Sequence, residues 1–316
     1  MTDGAGDQPR PDTEALRAEG MFIDELADPE LFSALLASQA KAISAVERAS
    51  SQLQAAINAA LAILKKPSSR LFYCGAGTSG RIALLDAVEL GPTFNWPDSR
   101  MKVILAGGEG SFLQAQEGAE DDEEAARTEI QALALCADDV VVGLAASGTT
   151  PFVIAALAEA RRAGALTIGF ANNPATPVLN AVHYPVLLET GAEALAGSTR
   201  LSAGTSQKIA VNIFSTGLMI RLGKVYKGRM VDMQVINRKL RARAVAIVHD
   251  IVGCTEGHAR EALVATNYDI KQAVLVATGI EPQEAAKVLA ECGGMLAQAM
   301  RQIGRHPSGA TWHSAI

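Results

Sequence analysis

The chain has few aromatic residues, few cysteines, no excess of positive charge and no long apolar run, and each shortage removes a class of protein. Its four cysteines (Cys74, Cys136, Cys254, Cys292) are spread over 316 residues with no C-x-x-C pair. That leaves no disulfide framework and no zinc-ligand spacing, so a reducing compartment is the expected setting and no metal is expected. A net charge of −6 gives no overall field to draw nucleic acid. The basic cluster at 238–243, RKLRAR, reads as a solvated helix face. No apolar run approaches the ~18 residues of a membrane span, and the opening MTDGAGDQPRPDTEA lacks the apolar segment of a signal peptide. A soluble, cytoplasmic protein is expected. Aromatics are only 4% of a composition that is 49% hydrophobic. Ala, Leu and Val therefore dominate, a mixture suited to helices packed on a buried parallel sheet.

What is present is most informative at 71–80, LFYCGAGTSG. A short apolar strand runs into a loop containing Gly77, Thr78, Ser79 and Gly80, and a helix-like segment follows at once. Such a loop brings backbone N–H groups, hydroxyls and a helix N-terminus to one point, which suits an anion such as phosphate. The arrangement recurs downstream in DVVVGLAASGTTPFVIAAL, where Ser147, Gly148, Thr149 and Thr150 occupy the loop. Capping of the following helices is the plain alternative role for these hydroxyls, and the same geometry serves both. Neither loop contains the lysine of a nucleotide-binding P-loop, which favours a phosphorylated small molecule over ATP or a dinucleotide.

Along the chain, residues 1–19 carry Gly, Pro and charge with little to bury, and disorder is expected there. Residues 20–69 read as an N-terminal helical segment, with helical apolar spacing from Pro29 to Lys66. From 70 to 245 strand and helix alternate, with strands expected at 71–74, 102–106, 140–145, 166–171 and 184–188. That order predicts an α/β fold, a doubly wound parallel sheet, with sites at the carboxyl ends of the strands. Residues 246–305 read as a small C-terminal helical domain. Part of it has the look of a ubiquitin-associated (UBA-like) three-helix unit, read here as an appendage that packs on the main domain or on a partner subunit. Residues 306–316 form a tail.

Several long motifs together resemble the N-acetylmuramic acid 6-phosphate etherase family, whose relatives include the glucokinase regulatory protein. They are YCGAGTSGRIALLDAVELGPTF, ILAGGEGSFLQAQEGAEDDEE, VVGLAASGTTPFVIAALAEAR, GAEALAGSTRLSAGTSQKIAVNIFSTGLMIRLGKVYKGRMVD and NRKL. The resemblance implies the sugar isomerase (SIS) fold and cleavage of the D-lactyl ether of N-acetylmuramate 6-phosphate, without a metal or organic cofactor. It also implies a homodimer with sites at its interface. By the same resemblance Glu89, in DAVELGPTF, is the proton-transfer residue at the ether bond, and Glu120, in QEGAEDDEE, assists at the sugar, with Glu117 beside it. Arg200, in GSTR, and Lys208, in GTSQK, are candidate partners for the phosphate or the lactate carboxylate.

The residues alone say less. Glu89 stands among Val88, Leu90, Gly91 and Pro92, surroundings suited to a general acid, yet a carboxylate near a helix end is the plain reading. Glu117 and Glu120 lie in an acidic run that ordinarily forms a solvated face. The chain also departs from the family pattern. Leu90 and Gly91 replace a Cys-Pro pair beside Glu89, Thr149 and Ser202 stand where arginine and lysine are usual, and Ile236 replaces threonine. The lost cations leave two further readings open beside the lyase: a non-catalytic sugar-phosphate-binding regulator, and a different sugar-phosphate lyase or isomerase on the same fold.

Overall fold

The computed structural model describes residues 11–16, 22–114 and 116–304, which fall into two compact units. The first joins residues 1–89 to 97–218, and the second joins 90–96 to 219–316. The expected tail at 306–316 and most of the expected disordered segment lie outside the described residues.

The first unit opens with two helices, α1 (Asp28–Arg48) and α2 (Ser50–Leu64). Sequence periodicity predicts one continuous helix here. The structure instead divides it at the buried Ala49, whose φ −82° and ψ 0° depart from helical values although its N–H and carbonyl still bond Ala45 and Leu53. No glycine or proline marks the bend; packing imposes it as α2 turns Leu53, Ile57, Leu61 and Leu64 inward against the sheet.

The sheet follows in the alternating order that the sequence predicts: β1 (Arg70–Gly75), α3 (Gly77–Phe94), β2 (Met101–Leu105), α4 (Glu123–Ala132), β3 (Asp139–Leu144), α5 (Pro151–Arg162), β4 (Leu166–Ala171), α6 (Pro177–Ala181), β5 (Tyr184–Leu187) and α7 (Ser202–Arg221). The five strands are parallel, in the order β2-β1-β3-β4-β5. The near-continuous burial of the three inner strands, β1, β3 and β4, follows from helices on both faces, while the edge strands β2 and β5 are partly exposed. Phe72, Cys74, Ile104 and Val141 share a core with apolar residues of α4, α5 and α6. On the other face Tyr73 reaches α3, and Phe170 meets Phe214 of α7 edge to face at 6.4 Å. Register is pinned at the opposite end of the sheet from the loops. There Arg70 grips its paired residue Asp139 through Nε–Oδ1 at 2.9 Å and Nη2–Oδ2 at 2.7 Å.

The segment expected to lack structure contains one fixed point. Thr13 is buried, and its N–H donates to Asn173 Oδ1 at 3.2 Å. Its hydroxyl oxygen accepts from Asn173 Nδ2 at 3.1 Å, and its carbonyl accepts from the Gly197 N–H at 2.9 Å.

The second unit begins with a hairpin, β6 (Val225–Tyr226) and β7 (Arg229–Met230). Lys227 and Gly228 turn it with φ of +46° and +72°, the paired positive values of a type I′ turn. Helices α8 (Arg238–Val252), α9 (Glu256–Ala265), α10 (Ile270–Ala277), α11 (Pro282–Glu291) and α12 (Leu296–Ile303) complete it. Sequence reading places the domain boundary at 245, after α8 has begun. The contacts move it to Leu218, because Val245, Val248 and Ile251 of α8 bury in one core with Leu263, Val274 and Leu289. Lys271 is buried there, held by Asp232 at 2.8 Å and the Gly294 carbonyl at 2.9 Å. The basic residues of 238–243 are exposed on α8, as expected. Among the described residues, no helix is long and apolar enough to cross a membrane.

Candidate functional site

A doubly wound sheet opens a crevice where successive connections leave in opposite directions. In the order β2-β1-β3-β4-β5 that point lies between β1 and β3, and the two hydroxyl-rich loops are the segments that leave their carboxyl ends. The sheet topology thus brings together the two loops singled out in the sequence.

The first loop is tight. A Cβ at Gly75 would lie 2.7 Å from Gly80 N and Cα, so the end of β1 and the first turn of α3 touch backbone to backbone. Gly77 adopts φ +51°, Ser79 is buried and Thr78 is half-buried. The second loop is shaped by Gly148, at φ +74°, where a Cβ would meet Thr176 Oγ1 at 2.2 Å. Ser147 Oγ accepts the Thr149 N–H at 3.2 Å. Thr150 precedes α5 and makes no side-chain capping hydrogen bond, so the capping role proposed for it from sequence is not the one it performs.

Two neighbouring asparagines brace this second loop, and the sequence reading passed over both. The Asn172 N–H donates to the Ala146 carbonyl at 3.0 Å. Asn173 Nδ2 donates to the carbonyls of Ala146 at 3.1 Å and Ser147 at 3.4 Å, besides holding Thr13. The signal available was Asn-Asn-Pro directly after a strand, a pattern of chain reversal.

The candidate acids are placed less closely. Glu89 lies on the same unbroken α3 as Ser79, ten residues along, which at 1.5 Å per residue is about 15 Å. It is exposed, as is Val88, while Leu90 is buried; the enclosing apolar surroundings expected for Glu89 are absent from the single chain. Glu117 and Glu120 are also exposed, in the loop after β2. The short turn Ala119–Asp121 packs against α5, the helix that carries the second hydroxyl loop at its start.

The N-terminus of α7 is already occupied. Both oxygens of the buried Glu193 carboxylate accept from it, Oε2 from the Ser202 N–H at 2.9 Å and Oε1 from the Ala203 N–H at 2.8 Å. Arg200 is exposed in the loop before α7, and Lys208 is exposed on α7. Lys208 acts electrostatically on Asp86 of α3. That carboxylate is buried and accepts from Asn212 Nδ2, from Ser215 Oγ at 3.0 Å and from the Tyr73 hydroxyl at 3.0 Å. Burial pushes the Asp86 carboxyl above the ordinary aspartate range, and the three donors and Lys208 only partly counter it.

The departures from the family pattern have distinct outcomes. Ser202 is buried and shares a hydrogen bond of 2.8 Å with Ser38 of α1, so this position contributes to the packing of α1 on α7. Thr149 is exposed on the second loop, and Ile236 is 71% exposed. Among the described residues no cluster of His, Cys, Asp and Glu has the makings of a metal site.

Comparison with known proteins adds the relatives. Residues 52–161 match the glucokinase regulatory protein N-terminal SIS domain, and residues 227–291 match the C-terminal lid domain of glucokinase regulatory protein. An N-acetylmuramic acid 6-phosphate etherase from Deinococcus radiodurans is 48% identical over 91% of this chain and 94% of its own. Proteins of the same name from Serratia proteamaculans and Streptomyces coelicolor are each 43% identical, over 89% and 91% of this chain and 94% and 93% of their own.

Proposed function

Because the chain belongs to the N-acetylmuramic acid 6-phosphate etherase family, we propose that it is a carbon–oxygen lyase that removes D-lactate from the 3-position of N-acetylmuramate 6-phosphate, leaving N-acetylglucosamine 6-phosphate. The observation that carries this reading is sequence similarity across nine-tenths of the chain to proteins of that name.

The chemistry asks for what these residues offer. An alkyl ether does not hydrolyse at neutral pH, but opening the sugar to its aldehyde acidifies the proton at C2. A carboxylate removes that proton, electrons flow into the C2–C3 bond, and the C3–O bond breaks as an acid protonates the departing lactate oxygen. Water then adds at C3 and a proton returns to C2, so atoms and charge balance without any redox step. Glu89 is assigned to proton transfer at the ether bond and Glu120 to assistance at the sugar, in ring opening or water activation, with Glu117 alongside. Thr78, Ser79, Ser147 and Thr150, with the backbone of Gly77, Gly80, Gly148 and Thr149, hold the phosphate. Arg200 and Lys208 supply positive charge for the phosphate or the lactate carboxylate.

The distance along α3 bears on where each part acts. A sugar phosphate spans about half of the ~15 Å between Ser79 and Glu89. We therefore assign Glu89 to a phosphate held by a second copy of the chain, in a homodimer with composite sites. Exposed apolar residues on α1 (Phe32, Leu36, Ile43) and on α3 (Leu85, Val88) supply surface for such pairing. Four free cysteines accord with a reducing, cytoplasmic setting.

The deciding experiment incubates purified protein with N-acetylmuramate 6-phosphate and assays D-lactate. Stoichiometric release with N-acetylglucosamine 6-phosphate is expected. Binding of the sugar phosphate without release would favour a regulator on the same fold.

A further inference from the structure

Among the described residues, four buried side-chain atoms lack a hydrogen-bond partner: Glu159 Oε2, Thr176 Oγ1, Thr190 Oγ1 and Gln207 Oε1. Glu159 has a counter-ion in Arg162 at 2.5 Å. The other three come from segments after β4, after β5 and from the first half of α7, at the sheet edge that carries the hydroxyl loops. A hydroxyl rotates to suit its surroundings; the glutamine does not.

The orientation of the Gln207 amide is set by its neighbours. The Leu188 carbonyl can only accept, so Asn172 presents Nδ2 to it, at 2.7 Å. The second hydrogen of that Nδ2 goes to Ser206 Oγ at 2.8 Å, whose own proton goes to the Ala203 carbonyl at 2.7 Å. Asn172 Oδ1 is thereby an acceptor, and Gln207 offers it Nε2 at 3.2 Å. What remains is Gln207 Oε1, an acceptor on a residue 1% exposed, with no donor. Buried acceptors are almost always paired in a functioning state, so this one calls for a donor that none of the described residues provides.

The surroundings say where that donor comes from. Gly204, one turn earlier on α7, rests on the first hydroxyl loop, since a Cβ there would lie 3.4 Å from Thr78 Cγ2. Asn172, which holds Gln207, is itself bonded to Ala146 at the base of the second loop. Gln207 is thus linked through Asn172 to the base of the second loop and lies one helical turn from the residue that touches the first. A phosphate dianion carries only acceptors and would be repelled by Oε1, whereas a neutral hydroxyl or amide N–H would satisfy it.

We propose that Gln207 is a substrate-binding residue whose Oε1 accepts a hydrogen bond from a neutral O–H or N–H donor of the sugar held by the two hydroxyl loops. This rests on the sugar-phosphate site proposed above and adds a contact that reads the sugar and not its phosphate. It also gives the Ser-Gln-Lys run at 206–208 a division of labour, with an acceptor for the sugar next to a cation for an anion.

The test measures binding by calorimetry, so it stands whether or not lactate is released. Wild type and Gln207→Met are each titrated with inorganic phosphate, N-acetylglucosamine 6-phosphate, glucose 6-phosphate and its 2-, 3- and 4-deoxy analogues. In wild type, loss of one particular donor should weaken binding about 10- to 100-fold. In Gln207→Met the same deletion should have no effect, and inorganic phosphate should bind both proteins alike. The pair N-acetylglucosamine 6-phosphate and glucose 6-phosphate separates an acetamido N–H from a ring hydroxyl as the donor. An equal loss for every ligand in the variant, inorganic phosphate included, would overturn the proposal. So would a wild type indifferent to every donor deletion, the result expected if a trapped water satisfies Oε1, and that measurement does not depend on the variant folding. A wild type that binds none of the sugar phosphates would instead remove the site reading on which the proposal stands.

Discussion

Ser79, in the first turn of α3, and Ser147, in the loop before α5, follow the neighbouring strands β1 and β3. If both hold one phosphate, Ser79→Ala and Ser147→Ala should each raise KM for the phosphorylated sugar about ten- to a hundredfold, the worth of a hydrogen bond to an anion. Unphosphorylated sugar should bind weakly and respond to neither change; equal binding with and without phosphate would refute the assignment. Glu89→Gln keeps the shape of an exposed side chain and removes its titrating proton. It should lower kcat by ~10²–10⁴ and leave the melting temperature nearly unchanged. Wild type run in deuterated water should place deuterium at C2 of the product, and a product without it would replace elimination by direct displacement. The two hydroxyl segments were legible as strand-to-helix connections because strand, hydroxyls and helix follow one another within a dozen positions, whereas Glu89 is named by resemblance alone. Thr13, Asn173 and Glu193 were not legible. Thr13 meets Asn173 from 160 positions away, and Glu193 meets Ser202 across a loop, so no local pattern announces either contact.

Between elements, the pairing of α3 with α7 turns on one buried carboxylate. Asp86 faces Asn212 and Ser215, spaced by nearly one helical turn on α7, and Tyr73 from β1. Burial raises its pKa despite these donors. A raised acid pKa means that the folded chain takes up the proton before the unfolded one does. Between the ordinary aspartate value, ~3.9, and the raised one, the native state therefore binds more protons, and stability falls as pH rises. Asp86→Asn removes the titration, keeps an oxygen for Asn212 and Ser215, and lets the Tyr73 hydroxyl reverse to accept. Wild type should thus lose melting temperature relative to Asp86→Asn as pH is raised from about 4 to 7. A flat or opposite difference would show that the three donors, and not burial, govern this carboxyl. The strands themselves were the most readable elements, since apolar runs of five or six residues between turns admit few other readings; 166–171 agrees to the residue. The break at Ala49 and the hairpin at Val225–Met230 were not readable. The first follows from packing alone, and the second has strands of two residues, too short for a period to show.

At the scale of the whole molecule, the proposal of a composite site between two chains rests on α3. A helix that stopped before Glu89 would let the chain fold Glu89 back toward its own phosphate. It does not stop: α3 runs unbroken from Gly77 to Phe94, through Gly91 and Pro92. Proline inside the last turns removes one ladder bond, yet the Asn95 N–H still closes on the Gly91 carbonyl at 2.8 Å. Ser79 and Glu89 are therefore held about 15 Å apart on one rigid rod, and Ser79 is buried where Glu89 is exposed. A C2 pairing, the commonest symmetry of soluble oligomers, lets each rod serve two sites, its start in one and its Glu89 in the other. The consequence is open to a complementation measurement. Glu89→Gln subunits lack the acid but keep the cradle, while Ser79→Ala/Ser147→Ala subunits keep the acid and lack the cradle. Mixed and allowed to exchange, two nearly inactive preparations should regain activity through hybrid dimers that carry one intact site. With random exchange half the dimers are hybrids, so recovery should approach about a quarter of wild-type activity. Exchange demonstrated by differently tagged subunits, with no activity regained, would assign Glu89 to the site within its own chain and end the composite-site proposal.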